Sequence, residues 1–115
     1  MHYTGSCHCG RIAFAFDGAI ERLVDCNCSL CRRRGSLLYF TDRAHFELLT
    51  PAADMSEYRF GAQTIAHVFC PVCGCAPLGF ATDPSGREMV AVNVRCVDDF
   101  DLDSVDVHHF DGRRL

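Results

Sequence analysis

The hexapeptide Cys70-Pro71-Val72-Cys73-Gly74-Cys75 contains a C-x-x-C knuckle of the kind that holds a tetrahedral metal ion. Gly74 directly follows the knuckle and suits a positive φ angle, which lets backbone amides point at the thiolate sulfurs. Structural zinc takes four ligands, usually from two knuckles in separate segments of a chain. The hexapeptide therefore predicts a second pair of cysteines elsewhere in the sequence.

Two further cysteine clusters precede this stretch, Cys7-His8-Cys9-Gly10 and Cys26-Asn27-Cys28-Ser29-Leu30-Cys31. Nine cysteines in 115 residues would suggest disulfides in a secreted protein, but the N-terminal residues lack the basic and apolar segments of a secretion signal. Closely spaced cysteines also rarely bridge each other, whereas they chelate metal well. Pairing Cys7 and Cys9 with Cys70 and Cys73 predicts a closed four-cysteine site.

The middle cluster offers three thiolates within six residues, which are Cys26, Cys28 and Cys31. Three protein ligands and one vacant position are typical of catalytic zinc, because the vacancy receives water or substrate. Spacing leaves one alternative open, in which the middle cluster joins the third one and Cys7 and Cys9 stay free. A fourth cysteine such as Cys75 would instead saturate the middle site and leave no vacancy.

Alternating apolar and polar residues predict a mainly β domain. Residues Arg11–Phe16 place Ile12, Phe14 and Phe16 on one face. Turn signals separate eight further candidate strands: Arg22–Cys26, Leu37–Thr41, His45–Leu49, Glu57–Phe60, Thr64–Phe69, Leu78–Thr82, Met89–Val94 and Val105–Phe110. Short helices are expected at Ser29–Arg34 and Asp98–Ser104. This pattern predicts layered antiparallel sheets in a single domain, residues 1–115.

The charge balance is acidic, with 15 Asp and Glu against 11 basic residues, all of them Arg. A formal net charge of −4 argues against nucleic acid as a partner, because such binding depends on neutralising phosphates. No stretch approaches the roughly 18 apolar residues that a membrane helix needs. Together with the missing secretion signal, this predicts a cytoplasmic protein that does not bind membranes.

Several motifs together resemble the glutathione-dependent formaldehyde-activating family, also called the CENP-V/GFA family. They are Gly5-Ser6-Cys7-His8-Cys9-Gly10, Cys26-x-Cys28-Ser29-x-Cys31-Arg32, Phe69-Cys70-Pro71-x-Cys73-Gly74 and Val90-Ala91-Val92-Asn93. The resemblance implies a β-tent fold of stacked antiparallel sheets held by a structural zinc on Cys7, Cys9, Cys70 and Cys73. It also implies a second, more labile zinc on Cys26, Cys28 and Cys31. The family's named activity is formation of S-hydroxymethylglutathione from glutathione and formaldehyde.

Polar residues around the middle cluster are candidates for substrate binding. Arg32 and Arg33 follow it directly, and their guanidinium groups match the two carboxylates of glutathione. Asn27 stands where the family commonly has histidine, and its amide can donate a hydrogen bond to substrate but does not shuttle protons at neutral pH. His67 and Cys96 are expected to be packing residues rather than catalytic ones.

The sequence therefore predicts a zinc-dependent carbon–sulfur lyase acting on a thiol–aldehyde adduct, with one structural and one labile or catalytic zinc. Cys26, Cys28 and Cys31 would form the catalytic centre, and Asn27, Arg32 and Arg33 would contact the thiol, such as glutathione, or the aldehyde. The alternative is a non-enzymatic zinc-binding module for protein interaction or metal handling. A nucleic-acid binder, suggested by one branch of the family, fits the acidic charge poorly.

Overall fold

The predicted mainly β architecture is confirmed. A computed structural model describes residues 1–114, so Leu115, the last residue of the predicted domain, lies outside the described residues. The ten strands are β1 (His2–Ser6), β2 (Ala13–Asp17), β3 (Arg22–Cys26), β4 (Leu38–Asp42), β5 (Phe46–Leu48), β6 (Ser56–Tyr58), β7 (Ile65–Phe69), β8 (Leu78–Thr82), β9 (Glu88–Asn93) and β10 (Asp106–Phe110).

Helical structure is sparse in the described chain. One α-helix, α1 (Cys31–Arg34), forms inside the segment predicted to be helical and ends at Gly35. Single 3₁₀ turns occupy Arg43–His45, Ala52–Asp54, Val94–Cys96, Leu102–Ser104 and Gly112–Arg114. None of these helical segments in residues 1–114 is long and apolar enough to cross a membrane.

The strands form two sheets that share one core. The smaller sheet has the order β1-β2-β5, and the larger has the order β10-β3-β4-β9-β8-β7-β6. Neighbouring strands are antiparallel with one exception, because β10 lies parallel to β3 and places Phe110 opposite Cys26. Stacked antiparallel sheets are therefore confirmed as the plan of the fold, with a parallel strand added at one edge.

All nine predicted strands are present, with ends shifted by at most two residues. The strand β1 was not predicted. The predicted helix at Asp98–Ser104 is wrong, because only Leu102–Ser104 forms a single 3₁₀ turn. There the Asp101 carboxylate accepts a hydrogen bond from the Asp103 backbone at 3.0 Å, and such local bonds compete with helix formation.

Aromatic side chains from β2 fill the space between the sheets. Phe14 and Phe16 are fully buried, as the alternating pattern predicts. Phe16 stacks on Tyr3 at 5.1 Å and on Tyr39 at 5.6 Å between ring centroids, while Phe14 stacks on Phe46 at 6.0 Å. Each such side chain contributes roughly 1.5–3 kcal/mol on burial, so this stack stabilises the contact between the two sheets.

Candidate metal centres and the adjoining cavity

The structure brings the first and third cysteine clusters together. Cys7 and Cys9 lie in the connection from β1 to β2, and Cys70 and Cys73 lie in the connection from β7 to β8. The four Sγ atoms all lie within 4.8 Å of one another. The Cys7–Cys9 distance is 3.8 Å and the Cys9–Cys70 distance is 3.6 Å. Metal–sulfur bonds of about 2.3 Å in a tetrahedron give sulfur–sulfur distances near 3.8 Å, so these four thiols can hold one ion.

Backbone amides point at the sulfurs of this site, as expected from Gly74. The amides of Val72 and Cys73 each donate to Cys70 Sγ at 3.4 Å, and Ile12 donates to Cys7 Sγ at 3.3 Å. Gly74 adopts the predicted positive φ, +79°, and its amide donates to the Cys70 carbonyl at 2.9 Å. The turn therefore presents donors that favour thiolates over thiols.

The thiols of this site do not ionise independently. Backbone amides of Cys75 and Cys9 lower the pKa of Cys73 to about 5. The Arg11 amide lowers the pKa of Cys9, but burial and the neighbouring sulfurs outweigh it and raise that pKa to about 11. Four thiolates at such distances repel one another, and a divalent cation removes that conflict. The donor set therefore suits a metal.

The three cysteines of the middle cluster also converge. Cys26 ends β3, Cys28 lies in the following loop, and Cys31 opens α1. Their sulfurs lie within 4.8 Å of one another. The Cys28 amide donates to Cys26 Sγ at 3.5 Å, and the Cys31 amide donates to Cys28 Sγ at 3.4 Å. The cluster supplies three thiols that can share one metal ion.

Ionisation in the middle cluster is uneven. Burial raises the pKa of Cys28, but hydrogen bonds from the Cys31 amide and thiol outweigh it, and the net shift is downward. The pKa of Cys31 is strongly raised by burial and by the neighbouring Cys28 and Cys26 sulfurs. As in the first site, a bound cation would allow all three groups to be thiolates together.

A cavity of about 390 Å³ adjoins the middle cluster. This volume lies within the range of small-molecule sites, roughly 300–1,000 Å³. Its lining includes Cys28 and the two predicted carboxylate-binding residues, Arg32 and Arg33, which are both exposed. Sequence reasoning missed three further lining residues, Phe60, Gly112 and Arg113.

Cys75, Cys96 and His67 have surroundings that bear on their predicted roles. Among the described residues, the two metal-capable cysteine groups include neither Cys75 nor Cys96. Both thiols pack against the hydrophobic core, and burial raises the pKa of Cys96 to about 11. His67 is half-buried and stacks on Phe60 at 5.3 Å between ring centroids, and burial lowers its pKa. The alternative that left Cys7 and Cys9 free does not agree with this arrangement.

We expect Gly74→Ala to destabilise the folded protein by about 1–2 kcal/mol, because an L-residue is strained at φ +79°. A Cβ there would meet no atom within 4 Å, so the cost comes from the backbone alone. Denaturant unfolding of the metal-loaded protein measures it. Gly79→Ala is the control, because a Cβ there meets atoms at ordinary contact distances of 3.7–4.0 Å. Equal effects of the two substitutions would contradict the role given to the Gly74 turn.

Comparisons with known proteins agree with the motifs and the fold. A crystal structure of a Rhodobacter sphaeroides protein superimposes with a TM-score of 0.77 at 26% sequence identity, covering 91% of this chain and 99% of that one. A sequence profile described as "Glutathione-dependent formaldehyde-activating enzyme" matches residues 2–111, almost the whole chain. On this evidence the chain belongs to the glutathione-dependent formaldehyde-activating enzyme family.

Proposed function

We propose that this protein is a zinc-dependent carbon–sulfur lyase acting on a thiol–aldehyde adduct, resembling S-(hydroxymethyl)glutathione synthase. Membership of the family supports glutathione-dependent formaldehyde activation in general. The observation that carries the proposal for this chain is the juxtaposition of three convergent thiols with an arginine-lined cavity. Cys28 belongs to both, so a ligand in the cavity can reach the cluster.

In the synthetic direction the reaction joins the thiol sulfur to the aldehyde carbon, and the thiol proton ends on the aldehyde oxygen. The product is a thiohemiacetal, and no oxidant or reductant is needed. We propose a zinc ion on Cys26, Cys28 and Cys31, which would lower the pKa of an incoming thiol and polarise an aldehyde oxygen. We assign a second, structural zinc to Cys7, Cys9, Cys70 and Cys73, whose sulfur spacing suits a closed tetrahedral site.

The chain's own polar residues would bind and orient the thiol. Arg32 and Arg33 are exposed on α1 and line the cavity, so their guanidinium groups can hold carboxylates of glutathione while its sulfur reaches the cluster. Asn27 Nδ2 donates one of its two N–H groups to Asp111 Oδ1 at 3.0 Å. We predict that the second N–H donates the expected hydrogen bond to the substrate. We also propose a cytoplasmic location, because reducing compartments keep such thiols available for metal.

Thiol entry can be tested with cobalt in place of zinc at the middle cluster. Added glutathione should strengthen the thiolate-to-cobalt charge-transfer absorption, because it would add a sulfur ligand. Formaldehyde added to this mixture should then give the thiohemiacetal faster than the uncatalysed reaction, which proton NMR can follow. The rate with formaldehyde should be modest, since Asn27 cannot shuttle protons as histidine does.

A comparison of thiols that differ in their carboxylates distinguishes the proposed lyase from the non-enzymatic zinc-binding module. Glutathione should act at lower concentrations than cysteamine, which has no carboxylate, and Arg32→Ala with Arg33→Ala should remove this preference. A cobalt spectrum that no thiol changes, with no acceleration for a panel of aldehydes, would overturn the lyase. The non-enzymatic zinc module for protein interaction or metal handling would then be the better description.

A further inference from the structure

The C-terminal segment Phe110–Arg114 forms one wall of the cavity beside the middle cluster. It continues from β10, which lies parallel to β3 and ends opposite Cys26. Gly112 and Arg113 from this segment line the cavity. Resting on the proposed function, we propose that Arg113 binds a carboxylate of the thiol substrate and that Asn27 is the positioning residue that holds Arg113 in place.

Asn27 fastens the segment by three hydrogen bonds. Its backbone amide donates to the Phe110 carbonyl at 3.1 Å, and its side-chain Nδ2 donates to Asp111 Oδ1 at 3.0 Å. The Arg113 backbone amide donates to Asn27 Oδ1 at 3.0 Å. The side-chain amide thus bonds the residues on both sides of Gly112, because it has a donor at one end and an acceptor at the other. An apolar side chain could not make this pair of contacts, because it has neither a donor nor an acceptor.

Gly112 allows the segment to approach the cysteines closely. A Cβ on Gly112 would lie 2.6 Å from Cys26 Sγ and 3.3 Å from Cys28 Cβ. The first distance is shorter than any ordinary contact, so a larger residue would push the segment away from the cluster. Gly112 and Asn27 together therefore determine where the Arg113 side chain starts, next to the reacting end of the cavity.

The charges lining the cavity suit a thiol that carries two carboxylates. Arg113 adds a third guanidinium to those of Arg32 and Arg33, and no acidic residue is among the lining residues of the described chain. Asp111 lies close by, but its other oxygen pairs with Arg114 Nε at 2.7 Å. Three guanidinium groups outnumber the two carboxylates of glutathione, so each carboxylate can pair with an arginine, and bidentate pairing fixes its orientation.

The test uses the zinc-loaded protein and S-methylglutathione, which keeps both carboxylates and whose methylated sulfur cannot form a thiohemiacetal. Arg113→Ala should raise the Kd for this probe about tenfold in calorimetric titration, the order expected for losing one charge-assisted hydrogen bond. Arg22→Ala removes the same charge from an exposed side chain that does not line the cavity, and it should leave the Kd within about twofold because salt screens a distant charge. Arg113→Lys should recover part of the loss. An unchanged Kd in Arg113→Ala, or equal losses in both alanine variants, would overturn the assignment.

The positioning role of Asn27 has its own readout. Asn27→Ala should raise the same Kd about as much as Arg113→Ala, and the double variant should bind no more weakly than either single one. Gly112→Ala should weaken binding of the probe by a similar factor, because its Cβ displaces the segment. This variant replaces Asn27→Ala in the test if Asn27→Ala does not fold. Full additivity in the double variant, or normal binding by Gly112→Ala, would contradict positioning through this segment.

Enzyme kinetics separate this inference from the proposed function. If the parent accelerates thiohemiacetal formation, Arg113→Ala should raise KM for glutathione and lower its preference over 2-mercaptoethanol by about tenfold, with kcat changed less. A parent that accelerates no such reaction would defeat the proposed lyase, while the S-methylglutathione titration would still decide whether Arg113 binds carboxylates. Normal catalysis with an unchanged thiol preference in Arg113→Ala would defeat only the inference.

Discussion

Cys70→Ser should leave the chain unfolded or aggregated under conditions in which the parent protein is folded. Cys70 is fully buried and directly follows β7, and its Sγ lies 3.6 Å from Cys9 Sγ, which follows β1 of the other sheet. A structural zinc at such a site contributes on the order of 10 kcal/mol, which is comparable to the whole stability of a small domain. Losing one ligand therefore removes most of what holds the two connections together.

Far-ultraviolet circular dichroism and zinc content by mass spectrometry measure this effect. Cys75→Ser is the matched control, because Cys75 lies in the same connection but outside the four-cysteine group. This variant should remain folded and keep its zinc. Its free energy of unfolding should fall by only about 1 kcal/mol, because Cys75 packs against the core. A Cys70→Ser protein that melts like the parent and retains all its metal would show that the four-cysteine site is not the structural one.

The strand pattern was readable because most strands have one buried face, as β2 shows with Phe14 and Phe16. β1 escaped prediction because its sequence, His2-Tyr3-Thr4-Gly5-Ser6, contains one large apolar residue and its pairing with β2 comes from the hairpin. The parallel pairing of β10 with β3 joins segments about eighty residues apart. No local periodicity carries information about such a contact.

The candidate metal groups were readable from sequence because chelation imposes short and recognisable spacings. Only some of the residues that line the surrounding cavity could be predicted from the sequence. Arg32 and Arg33 adjoin the cysteines in sequence, whereas Arg113 reaches the same cavity through tertiary structure. The signal that could have identified it is weak, namely the Gly112-Arg113 pair after an exposed strand. The bonds between Asn27 and the C-terminal segment depend on strand order, which spacing does not determine.

Mild chelation should remove one equivalent of zinc and abolish catalysis while the fold persists. The middle cluster offers three thiols beside an open cavity, so a chelator could reach an ion bound there, whereas Cys7 and Cys70 of the first site are buried. A three-ligand site exchanges metal faster than a closed four-thiolate site, because its remaining position admits competitors. Thiohemiacetal formation should fall to the uncatalysed rate, and added zinc should restore it.

A ligand substitution makes the same comparison without chelator. Cys28→Ser should lose the labile zinc and at least about a hundredfold in rate, within the range that metal activation of a nucleophile provides. Its circular dichroism and melting should stay close to those of the parent, since Cys28 lies in a half-buried loop rather than in the core. Cys96→Ser, which leaves both metal groups intact, should keep both zinc ions and the activity. Loss of both ions together with the fold, after chelation or in Cys28→Ser, would instead make the middle cluster a structural site. The proposed distinction between a closed site that holds the two sheets together and an open site that binds thiols would then be wrong.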